Sequence, residues 1–369
     1  MLIYTLYIII ILTIKYLGAG RGRVCVEEDL SRNDLFNIKT FVFILEFILL
    51  FCIFALRHQS MGSDLSYETS YGYLGSFEII SMYSWREIFS IESFKNYEIG
   101  YILFNKIVGS LYLNRQFFLG VTSFFILFPT FITIKRYSRN FELSVVILMG
   151  IPVFLQYFSG LRQAMAVALC VYSFDFIVKK NYKIFIAIIF FACTFHSSAI
   201  VFLIGYPLYH VKINEKIRWI LLLLLPFIWS GRYFLFPVLT KIFNKSPNMI
   251  DTKSVNLLVF FVLIWIFCII FSDEHNKLRN GLLNYFYVAC FIQIFANVNN
   301  IAMRAGYYYI FFLTLLLPIT IQSNKFTDNQ KRWVTIGAYI LFYGISCYLL
   351  TTSQSAKAVP YYFFWETPA

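Results

Sequence analysis

Charged residues are scarce in this chain of 369 residues: they make up 14% of it, against roughly 25% in soluble domains. Only 19 residues are acidic, whereas 31 are lysine or arginine. The mean hydropathy is +0.69, and 59% of the residues are hydrophobic. Apolar runs of about helix-spanning length recur from end to end, so the sequence predicts an integral membrane protein.

The sequence also lacks motifs that bind a nucleotide or a metal, or that activate a serine. The chain has no GxxxxGK[ST] phosphate loop, no HExxH and no GxSxG element. The seven cysteines include no CxxC pair, and most lie inside apolar runs, where we interpret them as packing residues. We therefore expect no metal and no cofactor, and energy that comes from an activated substrate or from a gradient.

The apolar runs predict an all-α fold: a single polytopic membrane bundle over residues 1–369 with about 9 to 12 membrane segments, for which a GT-C-like arrangement is one option. The first run, 1–17, has no basic stretch before it and is predicted to be a retained helix, not a cleaved signal peptide. The net charge of +12 sits in short loops between the runs. Positive-inside bias explains this distribution, so binding to nucleic acid is not predicted.

Loop charge also predicts the topology. Basic loops favour the cytoplasmic side, which places residues 18–39 inside and the acidic stretch 57–98 outside as a large extracytoplasmic loop. A full crossing by the next run, 99–113, would put the basic loop 135–139 outside. Because that run is short and contains an asparagine and a lysine, we expect it to dip in from the outer face or to lie along it.

A second conflict concerns residues 184–209, which have basic loops on both sides. About 26 residues are too few for two full crossings. A broken hairpin that enters from the inner side, with His196 near its apex, satisfies the charge rule. A single long tilted helix is the simpler alternative, and the sequence leaves both open.

Three polar side chains stand out against apolar surroundings: Arg162 and Gln163 at the mouth of one run, and His196 in the middle of the next. Such side chains are costly in lipid, so those present usually face a cavity, a partner or a substrate. A purely structural role is equally compatible with each residue alone. Arg162 would then reach the membrane interface, and His196 would bond to a neighbouring helix.

The predicted topology brings several further charges to the same outer surface: Arg57, Asp64, Glu98 and Arg304, together with the aromatic residues that close the sequence. Guanidinium groups bind phosphate oxygens bidentately and stay charged. A nearby carboxylate can accept a proton from an attacking hydroxyl while arginines stabilise a departing diphosphate. The set therefore suits a lipid-anchored substrate that carries phosphate.

Short segments in the same order along the chain resemble EpsG-like and Wzy-type polysaccharide polymerases. They are ALRHQSMGSDLSYE (55–68), YEIGYILFNKI (97–107), FSGLRQAMAVAL (158–169), FHSSAIVFL (195–203), MRAGYYY (303–309) and PYYFFWE (360–366). The resemblance covers nearly the whole chain. It implies a multi-pass glycosyltransferase of the bacterial cytoplasmic membrane, acting in O-antigen, capsule or exopolysaccharide synthesis.

The resemblance also implies the reaction and its partners. A growing glycan would pass from undecaprenyl diphosphate to a lipid-linked repeat unit at the outer face of the membrane, without a metal. The partners would be the undecaprenyl-diphosphate-linked oligosaccharide, membrane lipid, and a chain-length regulator and a flippase of the same pathway. Arg162 and Arg304 would hold diphosphate, with Gln163 beside them.

Of the remaining residues, Arg57 would assist in phosphate binding, and Asp64 or Glu98 would be the general base. His196 would be a second base or would orient an acceptor hydroxyl. A transporter or flippase of the same lipid-linked sugar is the strongest rival function, although we find no internal repeat of the kind that transporters often show. A membrane glycan acyltransferase and a structural assembly subunit are two further rivals.

Overall fold

The computed structural model describes residues 1–24, 32–65, 72–88, 97–242, 255–296, 298–354 and 356–368. All described secondary-structure elements are helical, which confirms the predicted fold class. The only backbone pairing between extended residues in the described part is one antiparallel bridge, between Arg57 and Phe363.

Sixteen α-helices are described. They are α1 (Leu2–Val24), α2 (Arg32–Ala55), α3 (Tyr73–Met82), α4 (Ile99–Leu111), α5 (Arg115–Tyr137), α6 (Phe141–Met149), α7 (Pro152–Ser159), α8 (Leu161–Val178), α9 (Tyr182–Cys193), α10 (Gly205–His210), α11 (Glu215–Ile242), α12 (Asn256–Phe271), α13 (Lys277–Ala296), α14 (Asn300–Ile310), α15 (Leu313–Ile321) and α16 (Asp328–Thr352). Two 3-10 helices, Ser63–Leu65 and Ser197–Ile204, complete the set.

By length and hydropathy, four described helices can each cross a membrane: α5, α8, α16 and, over its residues Glu215–Val238, α11. The count rises to six if the bent pairs α6–α7 and α14–α15 each form one span. Five shorter apolar helices of 10–17 residues accompany them. The chain is thus a polytopic helical membrane protein.

Contacts at the ends of the helices show which loops lie together. Asp175, near the end of α8, accepts hydrogen bonds from Tyr137 at 2.6 Å and Lys179 at 2.7 Å, and Arg136 lies 2.6 Å from the same carboxylate. The basic residues after α5 and after α8 therefore share one end of the bundle, as the charge pattern predicts. We call it the inner end, and the opposite end the outer end.

Helix α4 does not cross the bundle. At its start, the Gly100 N–H donates to the Thr194 carbonyl at 2.8 Å. Just past its end, Arg115 bonds to Glu78 at 2.6 Å and to Gln59 at 3.0 Å. Both ends of α4 therefore lie toward the outer end, which agrees with the prediction that 99–113 does not span but dips in from the outer face or lies along it.

Lys106, which interrupts this apolar run, has a structural role. Lys106 is 7% exposed, and its ammonium donates to the carbonyls of Ser81, at 2.8 Å, and Tyr83. These carbonyls belong to the last turn of α3, where a helix has unpaired acceptors and partial negative charge. Lys106 thus caps α3 and fixes it against α4.

Residues 182–210 form the broken hairpin. Aromatic rings join the two limbs, with Tyr206 on α10 at 6.5 Å from Tyr182 and 5.6 Å from Phe185 on α9. The hairpin returns to the inner end, where His210 lies 3.1 Å from the Ile177 carbonyl, while its apex at Ser197 reaches Glu98 at the outer end. The structure therefore shows the hairpin and not the single tilted helix.

A sharp bend of 68° separates α6 from α7. Pro152 starts α7, a position where its missing N–H costs nothing. A Cβ on Gly150 would lie 2.8 Å from the Phe342 carbonyl of α16, so this position needs glycine. The bend carries α7 to the outer end, where Gly160 separates it from α8.

Candidate functional site

Five separate segments meet at the outer end: the chain after α2, the start of α4, the start of α8, the apex of the hairpin, and α14. Their contacts centre on Arg162, which follows the α7–α8 break. Its guanidinium bonds to Glu98 at 2.7 Å, with the side chains 21% and 20% exposed. The pair is thus partly shielded but still open to the outer surface.

Glu98 links three of these segments. One carboxylate oxygen accepts from Arg162, and the other accepts the Ser197 N–H at 2.9 Å. Glu98 also precedes α4, where a carboxylate is favoured by the partial positive charge of the helix start. It therefore joins α4, α8 and the hairpin apex at one point.

Aromatic side chains surround the guanidinium. Arg162 lies 4.5 Å from the ring centre of Tyr97 and 5.9 Å from that of Tyr101, within range of cation–π attraction. It also bonds to the Tyr73 hydroxyl, whose pKa is raised by burial and lowered by this arginine. The Arg162 Nε has no hydrogen-bond partner among the described residues. The guanidinium is therefore held in a fixed orientation by Glu98 and the surrounding tyrosines.

His196 stands at the apex of the hairpin with one ring nitrogen occupied. Its Nδ1 accepts the Ser198 N–H at 3.3 Å and lies 2.7 Å from the Ser198 hydroxyl. Because Nδ1 accepts this amide, the neutral ring carries its proton on Nε2. Because Ser198 engages the Nδ1 lone pair, this arrangement does not favour His196 as the base.

A chain of polar groups runs inward from this histidine. The Ser198 hydroxyl lies 2.8 Å from that of Tyr308, which also hydrogen-bonds to Gln163. Gln163 is 1% exposed; its amide donates to the Arg304 carbonyl at 2.7 Å. Gln163 thus fixes α14 against α8 and acts as a positioning residue.

Arg304 and Asp64 lie at the rim of this site. The Arg304 side chain is exposed, while its backbone is held by the bond from Gln163, next in sequence to Arg162. Asp64 is also exposed; it accepts from Ser63 at 2.9 Å, and its charge acts on the phenol of Tyr73. The structure therefore brings Asp64, Glu98, Arg162, His196 and Arg304 to one face.

The loop that carries Asp64 is fixed by a close backbone contact. Gly62 has a φ of +104°, and a Cβ there would lie 2.5 Å from the Phe158 carbonyl at the end of α7. A side chain would thus meet both a disfavoured backbone conformation and a clash. Asp64 is therefore held over the α7–α8 break.

Arg57 departs from this pattern, because it lies below the surface. It is 1% exposed and packs beside the paired rings of Phe54, at 5.6 Å, and Phe158, at 5.0 Å. Burial lowers its pKa to about 10, which leaves it charged at neutral pH. Arg57 thus lies behind Phe158 and is not open to solvent.

Tyrosines and a serine complete the site, and sequence reasoning did not single them out: Tyr73, Tyr97, Tyr308 and Ser198. Ser198 and Tyr308 lie inside the segments FHSSAIVFL and MRAGYYY, so the resemblance to the family could have pointed to them. Tyr73 lies in the polar stretch 57–98, where a tyrosine does not stand out from its neighbours.

The junction at Glu98 also allows a prediction about stability. A Cβ on Gly100 would lie 2.1 Å from the Thr194 Oγ1 and 2.8 Å from its carbonyl oxygen. We expect Gly100→Ala to destabilise the protein by about 1–3 kcal/mol, and to weaken activity because Glu98 is displaced. Thermal unfolding in nanodiscs measures the first effect.

Gly120→Ala in α5 is the matched control, since nothing lies within 4 Å of its Cβ position. We expect it to be neutral or to stabilise by up to about 1 kcal/mol, because alanine favours a helix. Equal melting temperatures for the Gly100 and Gly120 variants would mean that the α4–hairpin junction is not tightly packed.

Fold and site together define a polytopic membrane protein with an arginine–carboxylate cluster at one end of its helical bundle. A model of the EpsG family matches residues 40–363. The chain therefore belongs to the EpsG family, as its sequence segments predict. No curated protein matches the chain, and no solved structure does.

Proposed function

We propose that the protein is a polysaccharide polymerase which transfers a growing glycan from undecaprenyl diphosphate to a lipid-linked repeat unit. Membership of the EpsG family supports a membrane glycan polymerase. The observation that carries the specific reaction is the Arg162–Glu98 pair, part-buried at the bundle end and held by three segments. It is the arrangement that a lipid-anchored diphosphate requires.

Two arginines supply the phosphate site in this proposal. Arg162 is preorganised by Glu98, Tyr73 and Tyr97, and its Nε lacks a partner among the described residues. Arg304 is exposed nearby and free to close on the ligand. Groups aimed in advance at developing charge lower a barrier more than mobile ones, because they need no reorganisation during the reaction.

The two carboxylates have different tasks. Glu98 accepts hydrogen bonds on both oxygens, one from Arg162 and one from the Ser197 N–H. Asp64 is exposed and bonds to the Ser63 hydroxyl next to it. Asp64 is therefore the base that we propose, and Glu98 is a positioning residue.

The reaction then balances as follows. The acceptor hydroxyl oxygen forms a bond to the anomeric carbon of the donor sugar while the bond from that carbon to diphosphate oxygen breaks. Asp64 takes the hydroxyl proton, and Arg162 and Arg304 stabilise the departing undecaprenyl diphosphate. His196, held by Ser198, lines the site in which the acceptor binds.

Purified protein in nanodiscs, given the native lipid-linked repeat unit, tests this function. We expect a ladder of products spaced by whole repeat units in the mass spectrum. Unchanged substrate would contradict the proposal. Movement of the lipid-linked repeat unit to the other leaflet, without any new bond, would instead favour a flippase. The broken hairpin is also compatible with that rival function.

A further inference from the structure

Among the residues that the structure describes, no carboxylate pairs with the buried guanidinium of Arg57. Its Nε and Nη1 have no hydrogen-bond partner among the described residues. The charged or polar neighbours that act on it are the phenols of Tyr4 and Tyr361, and the adjacent rings of Phe54 and Phe158 pack against it. A buried charge that lacks a partner is strongly destabilising, and arginine does not escape by losing its proton at neutral pH. A buried guanidinium with unpartnered donors is suited to binding an anion.

The cover over Arg57 is the segment Ala356–Pro368, which we call the strap. The His58 N–H donates to the Tyr362 carbonyl at 2.8 Å, and the Phe364 N–H donates to the Leu56 carbonyl at 2.9 Å. These two bonds flank the bridge between Arg57 and Phe363. They form a single isolated bridge and not part of a larger sheet, so opening it breaks few bonds.

Two side chains fasten the strap further along. The Tyr361 hydroxyl donates to the Ile53 carbonyl at 2.8 Å, and the Tyr4 hydroxyl donates to the Ala358 carbonyl at 3.0 Å. Both donors are the phenols beside Arg57. The same contacts that hold the strap therefore enclose the arginine.

The location ties Arg57 to the site. Phe158 packs against Arg57 with one face and stands four residues before Arg162, at the end of α7. Transfer between two lipid-linked sugars involves two diphosphates, one on the donor and one on the acceptor. Arg162 and Arg304 serve the donor in the proposed function, which leaves the acceptor diphosphate without an arginine.

We propose that Arg57 is a second phosphate-binding subsite, which the strap covers until a phosphate-bearing lipid displaces it. The inference rests on the proposed function for the identity of that lipid. A substrate diphosphate and the headgroup of an ordinary anionic phospholipid offer the same chemistry, and the experiment separates them. The open strap would let the guanidinium fork meet phosphate oxygens bidentately.

Arginine labelling with phenylglyoxal, read by peptide mass spectrometry, tests the cover. The double variant Leu56→Cys/Phe364→Cys places one thiol on each of the two segments that the bridge joins. The variants with only one of these two substitutions are its controls. We expect Arg57 to be labelled slowly in the reduced protein and to lose its labelling when the disulfide forms. Arg232, which stacks on Trp229, is the internal reference. Equal labelling of Arg57 in locked and reduced protein would overturn the strap.

Ligand protection tests the subsite. Inorganic diphosphate added to reduced protein in phosphatidylcholine nanodiscs should suppress labelling of Arg57. Suppression by phosphatidylglycerol in the nanodisc, but not by diphosphate, would support the subsite and assign it to a membrane headgroup. If neither ligand protects Arg57, the subsite is overturned.

Arg57→Met separates a ligand site from a structural arginine. Removing an uncompensated buried charge should leave the melting temperature unchanged or raise it by up to about 4 °C, while polymer yield falls. A lower melting temperature with unchanged yield per folded protein would show a structural role and overturn the proposal. If wild-type protein makes no polymer yet diphosphate protects Arg57, the proposed function fails and the subsite stands.

Discussion

Replacement of Arg162 by alanine abolishes polymer formation in our account and leaves insertion into the membrane intact. The expected loss in turnover is about 10³-fold or more, because a preorganised donor to the departing diphosphate disappears. The variant also leaves Glu98 without its ion-pair partner. The Glu98 carboxylate still accepts the Ser197 N–H and is still partly exposed to solvent. The measurement is the rate of ladder formation from the lipid-linked repeat unit in nanodiscs.

Two controls sharpen this experiment. Arg162→Lys keeps the charge but not the fork that binds two oxygens, so we expect it to recover only a small part of the activity. Arg232→Ala removes an arginine whose side chain bonds within α11, to the Trp229 carbonyl, and should behave like wild type. Polymer of normal length from Arg162→Ala would remove the diphosphate role that we assign to this residue.

Asp64→Asn is expected to lower kcat by about 10²–10⁴-fold, the usual contribution of a general base. The amide keeps the size of the side chain but accepts no proton from the acceptor hydroxyl. Because Asp64 is exposed and does not hold Arg162, the KM for the lipid-linked repeat unit should change little. Steady-state kinetics over a range of substrate concentrations separates the two parameters.

Glu98→Gln is the comparison that divides the roles. Glutamine keeps an oxygen for one hydrogen bond but loses the charge that pairs with Arg162, so KM and thermal stability should suffer more than kcat. Were Glu98→Gln to lose kcat as deeply as we expect for Asp64→Asn, with Asp64→Asn active, Glu98 would be the base and our assignment would be wrong.

Loop charge predicted that 99–113 does not cross the membrane, and for 184–209 it left a broken hairpin and a single tilted helix both open. The basic residues around 135–139 and 179–183 constrain which segments can cross, and the structure places α4 along the outer end and folds 182–210 into a hairpin. The rule works because each misplaced lysine or arginine carries a cost of its own, independent of packing. Arg162 and His196 were also predictable, because each is a polar residue in an apolar run. Such residues usually have a functional or structural role.

Other features depend on contacts between distant residues, which no local pattern encodes. Arg57 looks like an exposed loop arginine in sequence, yet residues some 300 positions later bury it. Gln163 looks like a ligand for substrate but bonds to the Arg304 carbonyl of α14. The bend between α6 and α7 is set by the approach of Phe342 to Gly150, again across the chain.

The most direct test of the account counts undecaprenyl diphosphate. Wild-type protein in vesicles that contain the lipid-linked repeat unit should release one undecaprenyl diphosphate for each new glycosidic bond, and Arg162→Ala should release none. Mass spectrometry of the lipid and glycan fractions gives both numbers from one sample. Glycosidic bonds formed without release of the diphosphate lipid, or release that persists in Arg162→Ala, would contradict a transferase centred on Arg162.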